Sequence, residues 1–169
     1  FTSTAQFAAG EELLSTGRIY NNKLSTTTFA DLDGDGDDDM YLGNDVGNIE
    51  LYTNNNGTFT FAGLMQANGV ELDAGTRAAP VFADIDGDGD LDLYIGSAYD
   101  DISVYINTNG NFTAGANLQA GGVDITGEYY TSPTFADIDG DGDLDLYVGN
   151  QDGNIMFYEN LALTTGISK

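Results

Sequence analysis

The stretch FADIDGDGDLDLYIG, residues 82–96, places an aspartate at every second position from Asp84 to Asp92 within an otherwise apolar run. Close variants stand at 29–43, FADLDGDGDDDMYLG, and at 135–149, FADIDGDGDLDLYVG. Carboxylates spaced this closely repel one another and weaken the fold that carries them. Because this unfavourable pattern occurs three times, we infer that the carboxylates serve a specific purpose within each of the three equivalent loops.

The three stretches are copies of one repeat with a period of 53 residues. Phe29, Phe82 and Phe135 are separated by this interval, and the tyrosines, glycines and asparagines that follow them keep the same register. A gap-free period of this length is typical of a repeat architecture. We therefore predict one repeat domain over residues 1–169, divided into an N-terminal segment 1–28, a first repeat 29–81, a second repeat 82–134 and an incomplete third repeat 135–169.

Each unit is predicted to consist of short strands. PVFAD (80–84), DLYIG (92–96) and ISVYIN (102–107) are apolar or alternating, and turns rich in Gly, Asn and Asp separate them. FTAG (112–115) begins a weaker fourth strand, and only GEELL (10–14) has a composition that favours a helix. The predicted fold class is all-β, with four short antiparallel strands in each unit.

The composition excludes several classes of function. Twenty-eight Asp and Glu against four Lys and Arg give a formal net charge of −24, and 16 of the acids lie in the three stretches. Such a surface repels nucleic acid and anionic membranes, and no apolar run approaches the about 18 residues of a membrane-spanning helix. Since the sequence contains no His and no Cys, we expect no catalytic activity.

The start at Phe1 suggests a mature processed chain or an excised segment.

The acidic loops fit the pattern D-x-D-x-D-G-x-x-D. Ca²⁺ takes six to eight oxygen ligands at about 2.3–2.6 Å, and alternating carboxylates on a tight loop converge on one point. The glycine at the sixth position permits a turn that directs the seventh backbone carbonyl inward and leaves the seventh side chain free. We therefore predict about three Ca²⁺ per chain, held by Asp31, Asp33, Asp35, Asp37 and Asp39, by Asp84, Asp86, Asp88, Asp90 and Asp92, and by Asp137, Asp139, Asp141, Asp143 and Asp145.

The twelfth position distinguishes these loops from an EF-hand. An EF-hand ends on a bidentate Glu there, whereas this chain has Leu42, Ile95 or Val148, so the ninth aspartate must close the site. The alternative interpretation is a set of solvated acidic turns, because Asp and Gly both favour turns. Three copies at matching spacing, each followed by a strand, favour calcium.

The segment TFADIDGDGDLDLYVGNQDGNIMFYEN, residues 134–160, resembles the FG-GAP/VCBS repeat of integrin-α-like β-propellers and of large secreted bacterial proteins. The resemblance covers residues 29–160 and implies propeller-blade-like units of four antiparallel strands with Ca²⁺ at each loop. It also implies a secreted or cell-surface location and an adhesive or scaffolding role. Two departures are that Asp38 stands where the other repeats have Leu91 and Leu144, and that three repeats are too few for a closed propeller.

Weaker candidate sites lie outside the acidic loops. Asn56 in NGT and Asn111 in NFT are acceptor sequons for glycosylation. Arg77 is expected to form a salt bridge with a nearby carboxylate. Five tyrosines could stack on sugars, although strand tyrosines more often pack between sheets; they are Tyr94, Tyr105, Tyr129, Tyr130 and Tyr147.

The number of strands differs between the units. The first two units end with GTFTF and GNFTA, whereas no such strand follows IMFYEN in the third. FTSTAQF, residues 1–7, resembles the missing strand, with a connection to the next motif that is longer by five residues. Because the unpaired edge along NIMFYEN (154–160) would recruit a strand, we predict donation by a neighbouring subunit. The product is an open filament or, as the closed alternative, a six-bladed ring of two chains.

Two other functions remain open from the sequence. The tyrosines would suit a carbohydrate-binding module with glycans as partners, and the repeats would suit a blade segment of a larger secreted protein. The favoured prediction is a calcium-stabilised extracellular structural or adhesive repeat protein. Its copies would self-assemble into a homo-oligomer by β-strand complementation.

Overall fold

The computed structural model describes residues 26–99, 102–127 and 129–161 of the 169-residue chain. All regular secondary structure in these ranges is β, which confirms the predicted fold class. Three antiparallel sheets follow one another along the chain, and a two-stranded ribbon lies between each sheet and the next.

The first two sheets each contain four strands in chain order. The first sheet and its ribbon comprise β1 (Thr26–Ala30), β2 (Asp39–Gly43), β3 (Ile49–Asn55), β4 (Thr58–Leu64), β5 (Gln66–Ala67) and β6 (Val70–Glu71). The second sheet and its ribbon comprise β7 (Ala79–Ala83), β8 (Asp92–Gly96), β9 (Ser103–Thr108), β10 (Asn111–Ala114), β11 (Gln119–Ala120) and β12 (Val123–Asp124).

The third sheet contains three strands in the part of the chain that the structure describes. They are β13 (Ser132–Ala136), β14 (Asp145–Gly149) and β15 (Ile155–Tyr158). β14 pairs with both neighbours, whereas no described strand pairs with the outer edge of β15. The predicted N-terminal strand at residues 1–7 lies outside the described residues, and so does the helix-favouring GEELL.

The two ribbons were not predicted from the sequence. Asn68 and Gly69 turn the first ribbon with φ of 52° and 77°, and Gly121 and Gly122 turn the second with φ of 60° and 80°. Positive φ at both central residues is the requirement of a type I′ hairpin turn. The Asn-Gly and Gly-Gly pairs were therefore the signal that could have revealed them.

The hydrophobic core lies between successive sheets. Leu93 and Ile95 of β8 belong to the cluster shared with the first sheet, whereas Tyr94 belongs to the cluster shared with the third. This is the period-2 alternation of a strand covered on both faces, and all five residues of β8 are buried. The second sheet is thus packed between its two neighbours.

The same contacts recur at both junctions between sheets. The ring of Tyr41 packs edge-on against Phe82 of the next sheet, with centroids 4.7 Å apart, and Tyr94 packs against Phe135 at 4.8 Å. At the end of β2 and of β8, glycine lets the next sheet approach. A Cβ on Gly43 would collide with the backbone of Ala78, and one on Gly96 with the backbone of Thr131.

Candidate metal centres

Each acidic loop joins the first strand of a sheet to the second, between β1 and β2, β7 and β8, and β13 and β14. In each loop the first three aspartates converge, so that one carboxylate oxygen from each lies within 4.8 Å of the others. The converging sets are Asp31, Asp33 and Asp35, then Asp84, Asp86 and Asp88, then Asp137, Asp139 and Asp141. The structure therefore brings together three of the five predicted ligands of every site.

Two glycines in each loop provide its curvature. Gly87 and Gly89 have φ of 75° and 93°, and both donate their backbone N–H to the carboxylate of Asp84, at 2.8 and 3.0 Å. The predicted turn at the sixth position is thus confirmed, and the glycine at the fourth position turns the chain in the same way. These loop amides fix the orientation of the first carboxylate.

The seventh aspartate has a role that the sequence interpretation missed. The carboxylate of Asp37 accepts a hydrogen bond from the backbone N–H of Asn56 at 2.9 Å, and Asp90 accepts one from Asn109 at 2.8 Å. The prediction that these side chains are free was therefore wrong for Asp37 and Asp90. They hold the hairpin between the third and fourth strands, which lies 19 residues away in the chain.

Asp143, the seventh residue of the third loop, has a buried Oδ2 without a hydrogen-bond partner among the described residues. Burial and the negative charge of Asp141 raise the pKa of its carboxyl group. The residue that matches Asn56 and Asn109 in the 53-residue register is Ala162, which lies outside the described residues. Among the described residues, the third loop therefore shows no counterpart of the contact that Asp37 and Asp90 make with the hairpin.

The ninth aspartate is buried in all three loops, with 4%, 2% and 2% of Asp39, Asp92 and Asp145 exposed. Its Oδ1 accepts the backbone N–H of an asparagine in the third strand or just beyond it, as Asp92 does from Asn107 at 2.8 Å. Burial raises the pKa of Asp39 and Asp92, the backbone hydrogen bond opposes this shift, and the neighbouring loop carboxylates raise it further. A cation among these carboxylates would favour their charged forms.

Asn54 and Asn107 are structural residues of the site to which sequence reasoning assigned no role. Besides the backbone bond, Asn107 donates its Nδ2 to the carbonyl of Leu91 at 3.1 Å and accepts the N–H of Gly110 at 2.8 Å. Asn54 makes the matching bonds to Asp38 and Gly57. Each asparagine therefore ties the acidic loop to the following hairpin. The recurrence of asparagine at 54, 107 and 160 was the signal that could have revealed this.

The candidate residues outside the acidic loops differ in their contacts and in their exposure to solvent. Arg77 forms the expected salt bridge, with its Nε 3.3 Å from Asp45, and its guanidinium lies 4.3 Å from the ring centre of Tyr130. Asn56 and Asn111 are both exposed near the turns that precede the fourth strands. Tyr94 is buried between sheets and cannot stack on a sugar, whereas Tyr129 is 59% exposed. Tyr105 and Tyr147 are partly buried on strands.

No helix among the described residues is long and apolar enough to cross a membrane.

Comparison with known proteins supports the repeat assignment. A family model described as an FG-GAP-like repeat matches residues 31–95 and again residues 84–148. Among solved structures, a chain of a Tc holotoxin pore from Photorhabdus luminescens is similar to this one, with a TM-score of 0.51 and 18% sequence identity. The match covers 79% of this chain and only 6% of the toxin chain, so the likeness concerns the fold alone.

None of the curated proteins matches the sequence. The two matches of the family model together extend from residue 31 to residue 148, which is more than half of the chain. Each match includes two acidic loops. The repeated sheets, the loops at matching positions and the family model agree. The chain therefore belongs to the FG-GAP-like repeat family.

Proposed function

We propose that this chain is a calcium-stabilised structural or adhesive repeat protein that acts outside the cell and self-assembles by strand complementation. The observation that carries the proposal is the convergence of three carboxylates in each of three equivalent loops. Like charges gathered in this way destabilise a fold unless a cation compensates for them. Every other part of the proposal depends on the ion.

The donor atoms favour calcium over other metals. All converging ligands are carboxylate oxygens, the hard donors that Ca²⁺ prefers, and the sequence offers no His or Cys to a transition metal. Two oxygens on opposite sides of a Ca²⁺ ion are at most about 5.2 Å apart, so sets within 4.8 Å fit the ion. The seventh backbone carbonyl, the ninth carboxylate and water would complete the six to eight ligands.

The hydrogen bonds around the loop explain how an ion would stabilise the sheet. Asp92 bonds to Asn107, which lies in β9, and Asp90 bonds to Asn109, which lies in the turn into β10. Neutralising the loop therefore keeps the carboxylates in the positions that hold the third and fourth strands together. Extracellular modules bind Ca²⁺ with Kd of about 10⁻⁴–10⁻³ M, and we expect an affinity in this range for a protein that acts outside the cell.

A pair of substitutions separates the metal-binding role from the hairpin role. We expect Asp86→Ala to weaken calcium binding at the second loop, because it removes a converging carboxylate. Asp90→Ala should bind calcium more nearly as the wild type does, yet have a lower melting temperature even in EDTA, since the backbone N–H of Asn109 loses its acceptor. This hydrogen bond is exposed, so we expect its loss to cost about 0.5–1.5 kcal/mol. Calorimetric titration and melting curves in EDTA measure the two effects. Equal losses of affinity in both variants would show that the loop register is misassigned.

Assembly is tested by removing the proposed donor strand. We expect deletion of residues 1–9 to leave calcium binding at the three loops intact, because none of the converging carboxylates lies in that segment. The same deletion should abolish the oligomer that we expect the full chain to form in millimolar Ca²⁺. Size-exclusion chromatography with light scattering measures the mass of both proteins. If the shortened chain assembles as the full chain does, strand donation is wrong.

A carbohydrate-binding role is the second candidate. The rings of Tyr99 and Tyr129 lie 6.5 Å apart and are 64% and 59% exposed, so together they offer an apolar face to solvent. Aromatic faces of this kind can bind sugar rings. A glycan array probed with the wild type and with Tyr129→Ala tests it, and equal signals from the two proteins argue against it.

A further inference from the structure

The fourth strand of the second sheet places a phenylalanine in a defined apolar seat. Phe112 of β10 is 7% exposed and packs near Phe82, with ring centroids 6.5 Å apart. Its hydrophobic cluster includes six side chains from the first two acidic loops, the two ends of the first ribbon and the second sheet, namely Leu32, Met65, Leu72, Phe82, Leu91 and Leu93. This seat is closed because β10 is present.

The third sheet has the same seat in an open form. A groove of about 400 Å³ lies beside Phe135, next to the edge of β15 with which no described strand pairs. The six cluster members named above have counterparts 53 positions later that all line this groove: Ile85, Leu118, Ile125, Phe135, Leu144 and Leu146. The groove is therefore the seat of a fourth-strand phenylalanine.

The residues that follow β15 in the chain do not match the requirements of this seat. Asn109 and Gly110, with φ of 52° and 84°, turn the chain into β10 in the second unit. Ala162 and Leu163 stand at the corresponding positions, and neither adopts positive φ readily. The counterpart of Phe112 is Thr165. In sequence, the residues after β15 thus offer neither the Asn-Gly turn pair nor the phenylalanine that the second unit has at these positions.

A segment near the N-terminus does match. FAAGEEL, residues 7–13, shares its Phe, Ala, Gly and Leu with FTAGANL, residues 112–118. The shared glycine has a steric reason, because a Cβ on Gly115 would approach Val104 Cγ1 of β9 to 2.9 Å. The spacing agrees to within one residue, since Phe7 precedes Phe29 by 22 residues and Phe112 precedes Phe135 by 23. This register, centred on Phe7 rather than Phe1, removes the five-residue extension inferred from FTSTAQF.

The face of the third sheet is also left uncovered. Ile49 and Ile102, which the next sheet covers, are 0% and 2% exposed, whereas their counterpart Ile155 is 73% exposed and Phe157 beside it is 52% exposed. Tyr147, the counterpart of Tyr41 and Tyr94, packs only on Phe157 of its own sheet among the described aromatic rings. This is the face on which a following sheet would lie.

The first sheet carries the complementary half of this interface. Phe29 stands at the position of Phe82 and Phe135, the rings that pack on the tyrosine of the preceding sheet. It is 52% exposed, and its aromatic contact is with Phe59 of its own sheet. One half of the sheet-to-sheet junction is thus exposed on the third sheet and the other half on the first.

We propose that a second copy of the chain completes the third sheet, and that the junction between copies repeats the junction inside the chain. Residues 7–13 of the second copy pair with β15 and place Phe7 in the groove, and Phe29 of that copy then packs on Tyr147. The inference rests on the proposed assembly and specifies its register and polarity. Every junction is head-to-tail, so the contact is heterologous.

Gly149 provides a test that does not disturb the isolated chain. It matches Gly43 and Gly96, yet an added Cβ would meet only the carbonyl oxygen of Ser132, at 3.9 Å. A second copy docked in the proposed way would bring its backbone against that position. We therefore expect Gly149→Ala to keep three calcium sites and the melting curve of the monomer, but to shift the light-scattering mass in Ca²⁺ to that of one chain, 17.9 kDa.

Phe7→Ala and Phe1→Ala form the matched pair for the register. We expect Phe7→Ala to give the single-chain mass and Phe1→Ala to assemble as the wild type does. The reverse result would overturn the register while leaving strand donation in place. If Phe7→Ala and Gly149→Ala both assemble normally while the chain without residues 1–9 does not, the proposed junction is wrong and the proposed assembly stands. A wild-type chain that remains at the single-chain mass in Ca²⁺ overturns the assembly itself.

Discussion

Chelation of calcium is expected to lower the melting temperature of the protein by about 15–30 °C. With ligand at a hundredfold excess over Kd, each occupied site contributes about 2.7 kcal/mol to the free energy of unfolding, and three sites contribute about 8 kcal/mol. In a domain of this size, 1 kcal/mol corresponds to about 2–4 °C. Melting curves followed by circular dichroism in EDTA and in 10 mM Ca²⁺, a hundredfold excess over a Kd of about 10⁻⁴ M, measure the difference.

Two controls show whether the ion binds specifically. NaCl at matched ionic strength screens the repulsion among the carboxylates without occupying a site, so it should recover only part of the stability. Mg²⁺ demands near-octahedral geometry and retains its water, so it should stabilise less than Ca²⁺. Identical midpoints in EDTA and in Ca²⁺ would refute the calcium proposal. Full recovery by NaCl alone would instead favour solvated acidic turns.

Gly96→Ala should produce the second large effect. Its Cβ would collide with the backbone oxygen of Thr131 and lie 2.6 Å from Cδ of Pro133, so the second and third sheets must separate. Overpacking of this kind typically costs about 1–3 kcal/mol, and more where backbone must move. The shift would also strain the hydrogen bonds between Ser97 and Thr131, at 2.8 and 3.1 Å. We expect a melting temperature lower by about 6–12 °C in saturating Ca²⁺.

Gly149→Ala is the matched control for this substitution, since it changes the same position of the repeat where the described residues leave room for a Cβ. Both variants are compared in the chain that lacks residues 1–9, so that assembly does not contribute to the melting temperature. Equal stability of the two variants would show that glycine at this position is not needed for the approach of the next sheet.

The sequence was sufficient to predict the class of the fold and the position of its loops. The 53-residue period and the alternation in strands such as DLYIG are local patterns, and β8 and its counterparts follow them directly. The convergence of Asp84, Asp86 and Asp88 was predictable for the same reason, because alternate side chains on a turning loop are neighbours in space. The identity of the ion does not follow from this pattern alone.

What could not be predicted depends on contacts between distant parts of the chain. The carboxylate of Asp90 looked free because its partner, the backbone N–H of Asn109, becomes a neighbour only when the third and fourth strands pair. Gly96 looked like an ordinary strand end, and its steric role exists only because Thr131 of the next sheet approaches it. The local sequence pattern therefore does not predict that Asn109 lies beside Asp90 or that Thr131 lies beside Gly96.

The burial of the second sheet between its neighbours has a consequence for how the protein unfolds. Each core is shared by two sheets, so stability is distributed as nearest-neighbour terms along a one-dimensional array. The middle sheet has two such interfaces and each outer sheet has one, which makes the outer sheets the first to open and to exchange their amide hydrogens. Head-to-tail assembly would turn every outer sheet into a middle one. Fraying would then be confined to the two tips of a filament, and a ring would have none.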